Sequence, residues 1–183
     1  SNFIIEGDNL DLSKLIDNIM DNNDENSSIF ENLNSRVDIN IKKTYIDEIN
    51  HLNNLSGYII LKNNKINNLI LDADFPNDKK ISLTVLTNDA KETTTSLITD
   101  YPKPLIKRYK FIKGFEEGNL NFKSFKKDGA SNSVLIIDDF KIQEVPVFAK
   151  LLSLASLQGI ADILTGEGIR FTDLEMRFSN KKG

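Results

Sequence analysis

The chain has 183 residues, 39% of them hydrophobic, which suffices for one domain of ordinary size with its own core. A formal charge of -4 argues against a general nucleic-acid binder, because such proteins need an excess of Lys and Arg to displace counterions from phosphates. The absence of Cys excludes disulfide frameworks, thiolate zinc sites and cysteine nucleophiles.

Ser1-Asn2 reads as the scar of a removed affinity tag, and no basic start, apolar run and small-residue cleavage site follows it. The expectation is one fragment, residues 1–183, cut from a longer parent. Leu12, Leu15, Ile16, Ile19 and Met20 recur at helical spacing and predict a short helix over 12–20, with Asp11 or Ser13 to cap its free amides. "DNNDENSS" (21–28) is acidic and turn-rich and reads as an exposed loop.

From Arg36 the period becomes two. Val37, Ile39 and Ile41 alternate with Asp38, Asn40 and Lys42, the pattern of a strand with one dry face. "SGYIILKNN" (56–64), "INNLILDADF" (66–75), "KKISLTVLTN" (79–88) and "TTTSLITD" (93–100) repeat it, separated by short Asn- and Asp-rich turns that favour an antiparallel meander. "YPKPLIKRYKFIKGF" (101–115) breaks the rhythm. Pro104 suits a first helical position, and a short helix is expected near 104–111. Strands "EGNLNFKSF" (117–125) and "SVLIIDDFKI" (133–142) follow, joined by a hairpin containing Asp128-Gly129, and "GIRFTDLEMRF" (168–178) closes the chain.

The most apolar stretch lies before that last strand. Pro146 and Gly166 bracket an expected helix over 146–164, which admits three readings: a membrane span, a core helix, or a helix sealing an apolar groove. Lys150 and Asp162 stand within it, and ionisable groups near a bilayer centre cost about 3 kcal/mol each, which disfavours the span. Its apolar residues wrap most of the circumference, so it needs cover on more than one side.

From residue 98 onward the order of events resembles the AsmA-like, repeating-β-groove envelope proteins, in particular their YhdP-type members. The residues that carry the likeness are "GNLNF" (118–122) and "VLIIDDFKIQEVPVFAKLLSLASLQGIADILTGEGIRF" (134–171). In the second stretch a strand ends in Asp139-Phe140, a link reaches Pro146, and a Leu-rich helix carries a small-residue break at Gly159. Gly166-Glu167-Gly168-Ile169-Arg170-Phe171 turns into the next strand. "ITDYPKPLIKRYKF" (98–111) is similar to the family's strand-to-helix step, with Pro102 near a usual Gly and Glu117 in place of the first paired Gly. The likeness is good over 98–178 and faint over 1–97.

The resemblance implies an α+β, mainly β fold: a strongly curved antiparallel sheet, a half-pipe, with the long apolar helix at its concave face. It also implies the periplasmic part of an inner-membrane-anchored protein of a didermous bacterium, conducting phospholipid towards the outer membrane. A dry surface is what such a task needs. Each exposed methylene costs about 0.8 kcal/mol, so an unprotected tail of about sixteen carbons costs more than ~10 kcal/mol in water.

The expected groove lining is Val37, Ile39, Ile41, Leu69, Leu71, Ile81, Leu83, Val85, Leu120, Phe122, Ile136 and Phe140, with Phe148, Leu151 and Leu154 from the helix. Which sheet face is the inner one stays open, since Tyr58/Ile60 and Ile59/Leu61, like Val134/Ile136 and Leu135/Ile137, are apolar on both sides. Lys103, Lys107, Arg108, Lys110 and Lys113 form a basic cluster, read either as a contact for anionic lipid headgroups or as a solvated helix face.

No residue pattern points to catalysis, a cofactor or a metal. His51 is the single His, Asp138 and Asp139 are strand neighbours that point apart, and Asp72 and Asp74 share a face without a further acid or base. There is no Gly-x-Ser-x-Gly elbow and no phosphate loop. The expected partners are acyl chains and adjacent repeats of the parent, with a possible edge-strand dimer. The competing expectation is a structural or partner-binding envelope module that carries no lipid.

Overall fold

Alternation builds strands, and short turns lay each strand beside the one before it. The computed structural model describes residues 1–13, 34–63, 65–108, 112–143 and 168–181. The elements are β1 (Asn2–Asp11), β2 (Ser35–Tyr45), β3 (His51–Lys62), β4 (Lys65–Asp74), β5 (Lys80–Thr87), β6 (Thr93–Thr99), α1 (Lys103–Arg108), β7 (Phe115–Lys127), β8 (Ala130–Ile142) and β9 (Ile169–Lys181). The nine described strands form one sheet in chain order, with β1 and β9 at opposite edges, so among the described residues the sheet does not close.

From β2 to β9 every neighbour is antiparallel, as the meander predicts for β2 to β6 and the Asp128-Gly129 hairpin for β7 and β8. The turns explain why. Asp128 (φ 48°) and Gly129 (φ 78°) both take the left-handed conformation of a two-residue hairpin turn whose twist matches the flanking strands. After β5, Asn88 N–H donates to the Glu92 carbonyl and Lys91 N–H to the Asn88 carbonyl, both at 3.0 Å, with Lys91 at φ 59°. Phe75 to Lys79 repeats this pattern, with Asp78 at φ 60°.

The first strand corrects the expected wholly antiparallel sheet. β1 lies parallel to β2, with Phe3 opposite Val37 and Ile5 opposite Ile39, so the sheet is mixed. β1 is not legible from sequence because Phe3, Ile4 and Ile5 are a continuous apolar run, without the alternation that marks the later strands. Leu12, assigned to a helical stripe, instead prolongs the sheet: its N–H donates to the Tyr45 carbonyl at 2.9 Å. Asp11 does accept the Ser13 N–H, at 2.9 Å, but the rest of the helix expected over 12–20 lies outside the described residues.

Of the other two expected helices, α1 is present where Pro104 placed it, and the long apolar helix over 146–164 lies outside the described residues. The turn into α1 is made by Thr99, whose hydroxyl donates to the Lys80 carbonyl at 2.8 Å and accepts the Tyr101 N–H at 3.1 Å. Ile106 N–H then donates to the Pro102 carbonyl at 3.0 Å, and the Ile106 side chain is buried.

Two clusters make the core among the described residues. Ile41, Ile46, Leu52, Leu55, Ala73 and Phe75 pack with Leu10, Leu12 and Tyr101 at one end of the sheet order; Ile106, Phe115, Leu120, Ile137 and Phe140 pack with Phe171 and Leu174 at the other. Bulges keep the second cluster on a single face. Glu117 (φ 63°) and Gly118 (φ 87°) interrupt β7, and Asp139 (φ 50°) interrupts β8, so Phe115 and Phe140 return to the face that carries Leu120 and Ile137. Gly118 is required there, because a Cβ on it would stand 2.9 Å from the Phe140 Cβ and 3.0 Å from the Asp138 carbonyl oxygen.

Candidate functional site

Because side chains alternate along each strand, pairing register decides which residues meet across the sheet. The register links Ile5, Ile39, Gly57, Leu71, Leu83, Leu97, Phe122, Leu135 and Met176 into one row that crosses all nine strands. No polar residue interrupts it. With strands about 4.8 Å apart, eight steps make this row about 38 Å long. From Leu71 to Met176 its side chains are half-buried, neither sealed nor fully wet.

A row on each side widens the apolar strip. Ala73, Ile81, Thr99, Leu120, Ile137 and Leu174 run along one side. Phe3, Val37, Ile59, Leu69 and Val85 run along the other, and this row continues as Thr95, Ser124, Ser133 and Phe178. Beyond Leu120 and Ile137 the rings of Phe115, Phe140 and Phe171 stack at 5.4 and 5.2 Å between centroids. The reverse face is largely polar, with Asp38, Asn40, Ser56, Asn68, Asp72, Ser82, Thr84, Ser96, Asn121 and Lys123 at the alternate positions.

The strand residues expected to share a lining do stand on this one face, except Ile136. Ile136 pairs with Asn121 and Glu175 on the polar face, and the adjacent Ile137, fully buried, takes its place opposite Leu120 and Leu174. Sequence alone offers no choice between them, because residues 134–137 are all apolar; the register with Leu120 and Phe122 makes it. Phe148, Leu151 and Leu154 lie outside the described residues. Leu97, Leu135 and Met176 belong to the central row and were not singled out from sequence. Leu97 and Leu135 have apolar neighbours, Ile98 and Val134/Ile136, which hide the choice of face, whereas Met176 stands between Glu175 and Arg177 and carries a clear alternation signal.

The basic cluster is divided. The Lys103 ammonium forms an ion pair with Glu116, Lys107 and Lys113 are exposed, and the Arg108 side chain and Lys110 lie outside the described residues. On the polar face, Glu117 pairs with Lys141 at 3.1 Å and with Arg170 at 2.8 Å, and Arg170 also pairs with Asp139. Hydrogen bonds from Lys141 and then Arg170 hold the Glu117 carboxyl below its usual range, against a smaller opposing effect of burial. The His51 ring lies 5.8 Å from the Tyr45 ring, and burial, with the charge of Lys43, lowers its pKa. Asp74 pairs with Lys80 at 3.5 Å. Among the described residues no three His, Asp or Glu side chains gather as a metal site, and no helix is long and apolar enough to cross a membrane.

Family models, curated proteins and solved structures contain no match to this chain. Methyl, methylene and ring groups cover the apolar face, and such a surface binds hydrocarbon by removing it from water, at about 25 cal/mol per Å².

Proposed function

We propose that the sheet curls into a half-pipe whose apolar face carries phospholipid acyl chains. The chain is then the periplasmic fragment of an inner-membrane-anchored, AsmA-like protein of the YhdP type, which conducts phospholipid between inner and outer membranes without catalysis. One observation carries this reading: the uninterrupted apolar row across all nine strands. A protein that only needed a core would gain nothing from continuing such a row, half-exposed, over about 38 Å. That length exceeds the roughly 30 Å hydrocarbon thickness of a bilayer, so tails lying along it stay covered from end to end.

Native mass spectrometry of the protein expressed in bacteria tests the reading, with bound phospholipid as the expected result. A photo-crosslinker at Leu83, in the middle of the row, should then capture lipid, whereas one at Thr84 on the reverse face should not. Protein free of lipid, with no crosslink at Leu83, would overturn it.

A second reading, a structural or partner-binding envelope module, is favoured by one feature. The edge strand β1 exposes Phe3 (46%), Ile4 (71%) and Ile5 (43%) together, as a strand that joins an adjacent repeat would. Lipid-free protein that self-associates through this edge would support it.

A further inference from the structure

The row that runs from Phe3 through Val85 changes chemistry halfway along the sheet. Beyond Val85 the same line of positions holds Thr95, Ser124 and Ser133. One step further out, the register brings Thr87, Thr93 and Lys126 onto this face as well. Thr87 and Thr93 share a hydrogen bond between their hydroxyls at 3.0 Å, and the Ser133 hydroxyl donates to that of Ser124 at 2.9 Å. Lys126 is exposed and forms no ion pair among the described residues. A hydroxyl-lined border with one ammonium therefore flanks the hydrocarbon strip over β5 to β8, on the side of the strip opposite the Phe115–Phe140–Phe171 stack.

We infer that this border seats the headgroup of an anionic, phosphate-bearing amphiphile whose two tails lie in the central row, an inference that rests on the acyl-carrying reading above. The dimensions agree. Alternate residues on one strand are about 7 Å apart, so along β7 Lys126 stands about 14 Å from Phe122 with Ser124 midway. In a bilayer leaflet the polar layer is about 5–7 Å thick. A phosphate held by Lys126 thus puts the ester groups beside Ser124 and Thr95, where hydroxyls donate to carbonyl oxygens, and delivers the tails to Leu97 and Phe122. The charge complementarity favours a phosphate diester over a neutral headgroup. It also places the headgroup away from Lys103, whose charge Glu116 neutralises.

Binding of dioctanoyl phosphatidylglycerol, dioctanoylglycerol and glycerol 1-phosphate to the whole chain tests this, with Lys126→Gln and, as control, Lys123→Gln, which removes an equal charge from the reverse face of the same strand. Lys126→Gln is expected to weaken phosphatidylglycerol binding by about fivefold, the effect of one basic side chain near an anionic surface. Dioctanoylglycerol binding should stay unchanged, and Lys123→Gln should alter neither. Equal losses from the two Lys variants, no preference of the wild type for the phosphate-bearing lipid, or glycerol 1-phosphate binding as tightly as the lipid would each overturn the headgroup site while leaving the acyl-carrying reading in place. Failure of both lipids to bind would remove the two together.

Discussion

The backbone of Gly57 lies so close to Ile70 that a Cβ on it would stand 1.9 Å from the Ile70 carbonyl oxygen and 2.8 Å from the carbonyl carbon. Gly57 sits in the central apolar row between Ile39 and Leu71, at φ 143°, beside a shift in the β3–β4 register. Close approach of two backbones, and not space for a ligand, is the reason for glycine here.

Gly57→Ala is expected to destabilise the protein by about 3 kcal/mol, from backbone strain together with the displacement of β4. Gly7→Ala, where the added Cβ meets the Ile41 Cδ1 at 3.6 Å and the Asn9 carbonyl oxygen at 4.0 Å, both ordinary contacts, should change stability by less than ~0.5 kcal/mol. Urea unfolding midpoints of the two variants check this, and equal effects would contradict the close approach.

Register makes the second prediction. Ile137→Ala should cost about 2–5 kcal/mol because its side chain is fully buried among Leu120, Phe140 and Leu174. Ile136→Ala, on the polar face, should cost about 1 kcal/mol or less. The reverse order in chemical denaturation would mean that β8 is slipped by one residue.

Thr44 is fully buried and its hydroxyl has no hydrogen-bond partner among the described residues. An unsatisfied buried hydroxyl loses its hydration without compensation, so Thr44→Val should stabilise the protein by about 1 kcal/mol. An increase in the thermal midpoint is the expected readout, and a decrease would mean that the hydroxyl has a partner in solution.

Acid should act through Glu117. Its folded pKa lies below the ordinary 4.5 because Lys141 and Arg170 bind its charged form, so the unfolded chain takes up its proton first. The stability it contributes is complete above pH 4.5 and is lost as pH falls through the lowered folded value. Its side chain is 49% exposed, and after solvent screening the pairing is worth at most about 1 kcal/mol. Glu117→Gln should therefore cost little at neutral pH and flatten the acid limb of a stability profile; an unchanged limb would show that the pairing contributes nothing in solution. His51 acts in the same direction at higher pH. Its lowered pKa favours the neutral ring in the folded state, so stability declines as pH falls below 6.5.

Local chemistry by itself determined a large part of this fold. Period-two alternation from Arg36 onward, with short turns such as Asp128-Gly129, specifies β2 to β6 as an antiparallel series and β7–β8 as a hairpin, because neither feature needs distant contacts to act, whereas the β6–β7 and β8–β9 pairings join segments separated by longer links. Pro104 placed α1 in the same way. The composition of one face, apolar at Val37, Ile39, Leu71 and Leu83, was also legible. Only the tertiary structure decided the parallel docking of β1, since Phe3-Ile4-Ile5 carries no period and its partner lies more than thirty residues along the chain, at Val37 to Ile39. Cross-strand register, a non-local property, chose Ile137 over Ile136 and joined Leu97, Leu135 and Met176 into the central row. It also gathered Thr95, Ser124 and Lys126 from two strands onto one border, because pairing across a sheet is fixed by the bulges and turns of several strands at once, which no single segment encodes.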